Sequence, residues 1–256
     1  VWFRGRQDDF DNWNLPGWDR ATVVQHFEEV EAAIKPRRLP DPHSLSEAFG
    51  RTLGSNGLAP PTPERESAGV FHTNMRDGRR WSAADAFLRP AQDAHGLQVK
   101  TGAEVDRIEF DDGQAKRIVL LDGTKLSASR GIVLSAGSIG SPAILMRSGV
   151  GPADHLKELG ISLTHALDEV GENLHDHLEV KVKHRMTAPL SLWDHAKFPN
   201  YLLTGAQYLL TGTGAGRLQG LEAGAFLRLD GTEGPPDTQL HYINALAFDG
   251  ATADDK

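Results

Sequence analysis

The sequence predicts an α/β chain that is α+β overall, and three features of the residue pattern indicate this class. First, the apolar run Ile132–Leu134 is followed by small residues and then by a helix-forming segment, which is typical of a strand, a turn and a helix. Second, short β-patterned runs between residues 97 and 126 alternate with turn residues, as in antiparallel sheets. Third, apolar and polar residues alternate over 178–186, and two more strands are predicted over Glu222–Leu229 and Thr238–Leu246.

Composition and charge exclude several classes of function. The 256 residues include 27 basic and 35 acidic side chains, and the formal charge of −8 opposes binding to nucleic acid or anionic lipid. The absence of cysteine excludes disulfides, thiolate metal sites and a cysteine nucleophile. No apolar run approaches the roughly 20 residues that a membrane-spanning helix requires. No signal peptide is visible, which favours a cytoplasmic location, although the chain begins at Val1 without a methionine.

The first 70 residues predict two helices and a long connection. Asp19 is a suitable N-cap for a helix whose apolar residues have helical spacing, and Pro36 ends that helix. A second, shorter helix is predicted over Ser44–Leu53. The rest of residues 36–69 is rich in proline, glycine, serine and charge, so we expect a loop or linker with a soft domain boundary near residue 70.

Residues 71–130 predict a helix followed by a small antiparallel sheet. Ser82 and Asp85 form a pattern similar to a capping box at the start of the helix, with aspartate in place of the usual glutamate or glutamine. A hairpin turn is predicted at Asp122-Gly123. Short strands are predicted over Leu97–Val99, Val105–Phe110 and Ile118–Leu121.

The segment 131–151 is the most informative part of the sequence. The run Ile132–Leu134 predicts a strand buried on both faces, and the small residues after it would let the backbone approach a ligand closely. We expect Ser141 to be the N-cap of the following helix and Pro142 to occupy its first position. In open α/β sheets ligands bind at such junctions, but the spacing alone is equally consistent with a tight connection that binds nothing.

The same segment resembles a family signature over its whole length. Residues Gly137 to Gly151 read Gly-Ser-Ile-Gly-Ser-Pro-Ala-Ile-Leu-Met-Arg-Ser-Gly-Val-Gly. This stretch is similar to the second signature of the glucose-methanol-choline family of flavin oxidoreductases. Four further segments resemble that family: Arg4 to Trp18 with the helix after it, Gly78 to Pro90, the Val-Gly-x-Asn-Leu-x-Asp-His element over 170–177, and the Pro-Asp-x-Gln element that begins at Pro236.

The resemblance implies FAD as cofactor and a partial FAD-binding dinucleotide-type fold combined with an antiparallel-sheet substrate domain. It divides the chain into three regions. Residues 1–70 are expected to be a linker or cover region associated with the substrate domain. Residues 71–177 are expected to be part of the FAD-binding domain, and residues 178–256 part of the substrate-binding domain.

The resemblance also assigns site residues. The bend at 136–140, which includes Ala136 and Gly137, is expected to lie against the flavin nucleotide, and the backbone of Val105 is expected to meet the adenine end of FAD. His241 is expected to line the substrate cavity. From the residues alone, Val105 is also consistent with a core valine of an edge strand. His241 is likewise consistent with a strand histidine that interacts only with its neighbours.

The function that the resemblance implies is hydride transfer from the CH–OH group of a small-molecule alcohol to FAD. The family's Gly-x-Gly-x-x-Gly unit and its C-terminal catalytic histidine are not found in these 256 residues. The sequence is therefore expected to be the central portion of such an enzyme, without catalytic residues of its own and inactive by itself. The pattern does not indicate which alcohol is oxidised, whether the enzyme is an oxidase or a dehydrogenase, or its oligomeric state.

Three alternatives remain open at this point. The same flavin scaffold also carries hydroxynitrile lyases, and a non-catalytic remnant or binding module would show the same pattern. The sequence His175-Asp176-His177 is a possible metal-binding pattern, but it lacks a third ligand with suitable spacing, so no metal site is predicted. The glycine-rich run 212–216 does not match the dinucleotide fingerprint and predicts a loop.

Overall fold

The structure of the chain is a computed structural model that describes residues 1–53, 60–184, 186–188, 190–217, 220–231 and 233–244. The chain divides into two units. The first unit consists of Val1–Leu97 with Val182–Lys256, and the second of Gln98–Lys181. The first unit is therefore discontinuous in sequence, whereas the second is a single segment. Within the described residues, no helix is both long enough and apolar enough to cross a lipid bilayer.

Helices and strands alternate irregularly along the chain. The α-helices are α1 (Gln7–Asn12), α2 (Arg20–Ile34), α3 (Ser44–Thr52), α4 (Arg89–His95), α5 (Gly137–Arg147), α6 (Ala153–Glu158), α7 (Leu192–Ala196) and α8 (Asn200–Thr211). A π-helical turn, Ala84–Leu88, leads into α4, and a 3-10 turn covers Ala215–Arg217. The strands are β1 (Arg37–Arg38), β2 (Ser67–Val70), β3 (His72–Thr73), β4 (Met75–Arg76), β5 (Arg79–Arg80), β6 (Val105–Asp111), β7 (Gln114–Leu120), β8 (Lys125–Ser127), β9 (Val150–Gly151), β10 (His165–Ala166), β11 (Leu221–Leu227) and β12 (Thr238–Ile243).

A three-stranded antiparallel sheet in the order β12–β11–β2 forms the centre of the first unit. Ala223 and Ala225 of β11 are fully buried, as is Phe71, which directly follows β2. The ring of Phe71 packs on the backbone of Gly224, where an added Cβ atom would lie 2.3 Å from its Cζ atom. Only glycine therefore lets this ring reach the central strand.

A buried carboxylate connects α3 to this sheet. Glu222 of β11 is 1% exposed, and its Oε2 atom accepts hydrogen bonds from the His43 amide (2.8 Å) and the Ser46 hydroxyl (2.9 Å). Both donors lie at the N-terminus of α3, where amide groups lack intrahelical partners and the helix dipole favours negative charge. The strand thus supplies a cap for a helix that is distant in the sequence.

Two of the three helix starts predicted from capping residues, those at Asp19 and Ser82, are confirmed. The Asp19 side chain accepts a hydrogen bond from the Thr22 amide (3.1 Å), and α2 ends at Ile34, shortly before Pro36. Ser82 and Asp85 bind each other reciprocally, because each backbone amide donates to the other side chain, at 2.9 and 3.2 Å. The short helix expected near residue 50 is present as α3.

The second unit contains an antiparallel meander in the order β6–β7–β8. The predicted hairpin turn at Asp122-Gly123 is confirmed, since these residues connect β7 and β8. A second turn, Asp112-Gly113, connects β6 and β7 with φ angles of 50° and 74°, and it was not predicted. Register shifts between Val105 and Arg107 and between Glu109 and Phe110 explain why β6 alternates imperfectly in sequence.

Three predicted strands are wrong. Leu97–Val99, Ile132–Leu134 and 178–186 form no strand, although residue 185 lies outside the part of the chain that the structure describes. A strand needs a neighbour for its backbone hydrogen bonds, and none of the described strands pairs with these segments. As a result Val133 is 91% exposed and Leu178 is fully exposed. An apolar pattern therefore does not ensure that a neighbouring strand is present to pair with the segment.

The remaining predicted strands and the fold class are confirmed. β11 begins one residue before the predicted start and ends two residues before the predicted end. β12 covers the first part of the other predicted strand, whose residues 245 and 246 lie outside the described residues. The chain is α+β overall, with antiparallel sheets in both units and a short parallel pair formed by β9 and β10.

A network of ion pairs lies on the meander. The Glu109 carboxylate accepts hydrogen bonds from Lys125 Nζ (2.8 Å) and Arg117 Nε (3.0 Å). These two cations, Lys125 first, lower the pKa of Glu109 from its ordinary value of 4.5 to about 2. The charged form of Glu109 is therefore favoured in the folded chain.

We expect this network to make stability depend on pH below 4.5. Because the pKa of Glu109 is lower in the folded than in the unfolded chain, its contribution is complete above pH 4.5 and disappears as the pH falls toward 2. Glu109→Gln should flatten the decline of the unfolding free energy over this range, as measured by chemical denaturation. Glu104→Gln, an exposed change in the same unit, is the control. Equal slopes for Glu109→Gln and the unchanged chain would contradict this expectation.

Candidate functional site

The predicted cofactor contacts Ala136 and Gly137 lie at the N-terminus of α5. The predicted start of this helix is wrong, because the helix begins at Gly137 and Pro142 lies inside it. Gly137 has a φ angle of 82°, which turns the preceding unpaired segment directly into the helix. Ser141 is not the N-cap, and its Oγ atom accepts a hydrogen bond from the Ala136 amide at 3.0 Å.

The N-terminus of α5 is open to a ligand. A Cβ atom added to Gly137 would meet nothing within 4 Å, and Ile139 in the first turn is 72% exposed. Gly140 is packed instead, since a Cβ atom there would lie 3.1 Å from that of Ala136. The first amides of a helix have no intrahelical partner, and together with the helix dipole they favour an anion such as a phosphate. The residues present therefore fit the phosphate part of a dinucleotide.

Val105 lies at the start of β6, where the last residue of α5 binds the backbone. Arg147 Nε donates to the Asp106 carbonyl (2.7 Å), and Arg147 Nη2 donates to the Val105 carbonyl (3.4 Å). The register shift between β6 and β7 leaves Asp106 without a ladder partner, so its carbonyl is available to Arg147. Val105 is therefore held by the last residue of α5, whereas Gly137 is the first residue of the same 11-residue helix.

Ser148 joins the end of α5 to the same strand. Its side chain is 7% exposed, and its Oγ atom donates to the Ile144 carbonyl (2.5 Å) and accepts from the Ile108 amide (2.8 Å). β6 is the edge strand of the meander, so the Ile108 amide would otherwise be buried without a partner. One hydroxyl therefore completes the hydrogen bonding of both a helix end and a sheet edge.

The glycines after Ser148 allow close packing. Gly149 has a φ angle of 80°, and an added Cβ atom would lie 2.4 Å from the Ser162 carbonyl oxygen. At Gly151 an added Cβ atom would lie 3.2 Å from Met146 Cγ, and Val150 between the two glycines is buried. The second half of the signature segment thus packs against its own unit, and its first half borders open space.

His241 lies on β12, in the first unit, whereas Val105, Ala136 and Gly137 lie in the second. Its side chain is exposed, and its ring meets the edge of the Phe71 ring with centroids 6.1 Å apart. Gly224 of β11 is its cross-strand partner, and the Phe71 ring packs on the backbone of that same glycine.

Two surface hollows occur elsewhere in the two units. One of about 370 Å³ lies between α7 and α8 and includes Leu192, His195, Tyr201 and Tyr208. The other, of about 540 Å³, lies beside β6 and includes Arg107, Arg117 and Arg147. Each of these three arginines is paired with a carboxylate, so the second hollow offers little positive charge to an anion. Neither hollow is lined by the four predicted site residues.

The metal alternative gains no support from the geometry. Among the residues that the structure describes, no three His, Cys, Asp or Glu side chains are arranged so that they could hold a metal ion. The Asp176 carboxylate instead accepts a hydrogen bond from the His177 amide at 2.7 Å. The glycine-rich run 212–216 follows helix α8 and leads into a 3-10 turn, which is not the strand-to-helix turn of a dinucleotide fingerprint.

Three structurally important residues were missed by sequence reasoning. Ser148 is part of the signature segment, but the pattern does not reveal that its hydroxyl bridges two elements. Arg147 occupies a position that the signature leaves variable. Glu222 could have been recognised, because an acidic residue at the start of the apolar run of β11 is a signal for a buried, hydrogen-bonded carboxylate.

These features define a class of protein. An open helix N-terminus after small residues favours a phosphate group, which is a common part of nucleotide cofactors. Residues 1–179 match the family described as GMC oxidoreductase. The chain therefore belongs to the GMC oxidoreductase family, as the resemblance of residues 137–151 predicted.

Relatives with assigned names are similar over almost the whole chain. The chain is 35% identical to an oxygen-dependent choline dehydrogenase of Ectopseudomonas mendocina (strain ymp), over 99% of this chain and 50% of that protein. It is 33% identical to the enzyme of the same name from Proteus mirabilis (strain HI4320), over 99% of this chain and 51% of that protein. The chain thus spans about half the length of the curated relatives it matches.

Solved structures with a similar fold include one named as an FAD-dependent oxidoreductase and one named as an oxidase. An FAD-dependent oxidoreductase from Chaetomium thermophilum matches with a TM-score of 0.70 and 22% identity, over 89% of this chain and 46% of that chain. Pyridoxine 4-oxidase from Mesorbium loti matches with a TM-score of 0.64 and 26% identity, over 89% and 45%. The prediction of a partial FAD-binding fold is therefore confirmed.

Loss of the Ser148 hydroxyl should destabilise the second unit. In Ser148→Ala the buried Ile108 amide loses its acceptor, which we expect to cost about 1–3 kcal/mol of unfolding free energy. Urea denaturation would measure this change. Ser127→Ala is the matched control, because Ser127 is exposed on β8 of the same unit, and it should change stability by less than about 0.5 kcal/mol. Similar losses in both variants would mean that the bridge contributes nothing specific.

Proposed function

We propose that this chain works within an FAD-dependent oxidoreductase that oxidises the CH–OH group of a small-molecule alcohol. The observation that carries the proposal is the segment Gly137–Gly151, a family signature that folds into a helix with an open N-terminus. Membership of the GMC oxidoreductase family and the names of the relatives support the same activity. The regions 1–70, 71–177 and 178–256 enter the proposal as cover, FAD-binding and substrate-binding regions.

FAD, when bound, supplies the acceptor for a hydride from the alcohol carbon. The residues of this chain bind and orient it. The amides in the first turn of α5, which begins at Gly137, would face negative charge on the flavin nucleotide, which the dipole of α5 also favours. The backbone of Val105 meets the adenine end. Both contacts use the backbone, and Gly137 has no side chain that could block the approach.

His241 is the proposed contact with the substrate. Its exposed side chain is oriented by the fixed ring of Phe71, which is itself held on Gly224, and these contacts support a role in lining a cavity. We assign no catalytic residue within residues 1–256. The proton of the alcohol would go to a histidine in the part of the family's length that this chain does not span. Choline is the first alcohol to test, because the relatives are named for it.

The full-length gene product that contains residues 1–256 is expected to purify with yellow FAD, and choline should bleach the flavin absorbance without oxygen. Residues 1–256 alone should not retain FAD in gel filtration, because the segment that carries Val133 lacks strand partners among the described residues.

A colourless full-length product would contradict the assigned cofactor, and a yellow product that no alcohol bleaches would contradict the assigned reaction. Cleavage of mandelonitrile without bleaching would identify the lyase alternative. A yellow, active preparation of residues 1–256 would disprove the expected inactivity of the isolated segment.

Substitution of Gly137 should weaken FAD binding. Gly137→Ala places a methyl group at the open N-terminus of α5 and strains a residue with a φ angle of 82°, so we expect the FAD dissociation constant to rise by about tenfold. Titration of the apoprotein with FAD would measure it. Gly102→Ala is the matched control, since Gly102 also has a positive φ angle (65°) and open space around it. If both variants bind FAD equally well, Gly137 does not border the cofactor.

A further inference from the structure

We propose that Arg147 and Ser148 are positioning residues for FAD, which hold Val105 and Gly137 at the separation that the adenine and the phosphate groups of the cofactor require. This inference rests on the proposed function. Neither side chain is assigned a contact with FAD. Both act through the backbone of β6, which they connect to the C-terminal end of α5.

Arg147 fixes the start of β6. Its guanidinium donates to two consecutive carbonyl groups, those of Asp106 and Val105, and its Nε atom also lies 3.3 Å from the Asp106 carboxylate. The register shift leaves Asp106 outside the β6–β7 ladder. The Asp106 carbonyl therefore has no hydrogen-bond partner in that ladder, and Arg147 supplies one. The planar guanidinium can bind both carbonyls at once, whereas a lysine ammonium cannot reproduce that fork.

Ser148 fixes the strand three residues farther along. Its hydroxyl binds Ile108 of β6 and Ile144 of α5, so a rotation of the helix relative to the strand would break one of two buried hydrogen bonds. Gly149 then lets the Ser162 backbone approach from the other side. Two attachment points, at Asp106 and Ile108, define the direction of β6 relative to α5.

The separation of the two proposed cofactor contacts makes this geometry important. Val105 lies on β6 and Gly137 at the N-terminus of α5, so a ligand that touches both depends on how the strand and the helix are held relative to each other. Such a ligand binds tightly only if both contacts are held in place before it arrives, because any rearrangement reduces the net binding energy. A ligand that touches only the Val105 end does not depend on this alignment.

The test compares FAD with adenosine, which carries the adenine but no phosphate, on the full-length gene product that contains residues 1–256. Arg147→Lys should raise the FAD dissociation constant by about tenfold or more while changing that of adenosine by less than about threefold. At saturating FAD, Arg147→Lys should reach the kcat of the unchanged protein for alcohol oxidation. Arg117→Lys is the matched control, because Arg117 also binds two acceptors on the meander, but both are side chains.

The possible outcomes separate this inference from the proposed function. If the unchanged protein does not bind FAD, the proposed function fails and this inference fails with it. If the unchanged protein binds FAD and Arg147→Lys binds it equally well, only the positioning role is overturned. Equal weakening of FAD and adenosine would also overturn it, since Arg147 would then shape the adenine contact alone. If Arg147→Lys does not fold, Arg147→Gln and Ser148→Ala provide the same comparison, and melting temperatures of the apoproteins identify losses due to unfolding.

Discussion

The hydroxyl group of Ser148 is the interaction on which the second unit depends most. It satisfies the free amide of an edge strand and a carbonyl of α5 at the same time, while almost fully buried. The next residue, Gly149, allows the chain around Ser162 to pack directly against it. Helix, meander and the β9–β10 pair therefore meet within two residues. The second half of the signature segment is therefore packed inside the unit, whereas its first half, at the N-terminus of α5, remains exposed.

Features set by a few neighbouring residues could be predicted from the sequence. The cap at Asp19, the reciprocal pair of Ser82 and Asp85 and the turn at Asp122-Gly123 all depend on contacts within three or four positions. Strands at Ile132–Leu134 and 178–186 could not be judged in this way. An apolar alternating pattern is the same whether or not another strand lies alongside, and the partner is a property of the whole fold.

The candidate site shows the same limit. Ala136 and Gly137 were found from the run of small residues and from the family resemblance. The connection between Val105 and Arg147 was not found, because a bond between a side chain and a backbone carbonyl 42 positions away leaves no periodic pattern. The start of α5 was misjudged for a different reason. Ser141 and Pro142 match a helix start locally, but the positive φ of Gly137 begins the helix earlier.

The buried carboxylate of Glu222 has a consequence for the order in which the chain is assembled during synthesis. Glu222 binds Ser46 across 176 positions, and β2 pairs with β11, so α3 and the first sheet are completed only after β11 has left the ribosome. The second unit is one continuous segment and has no such delay. Until β11 arrives, the nascent protein presents an unpaired strand at Ser67–Val70, and exposed strand edges are features that molecular chaperones shield.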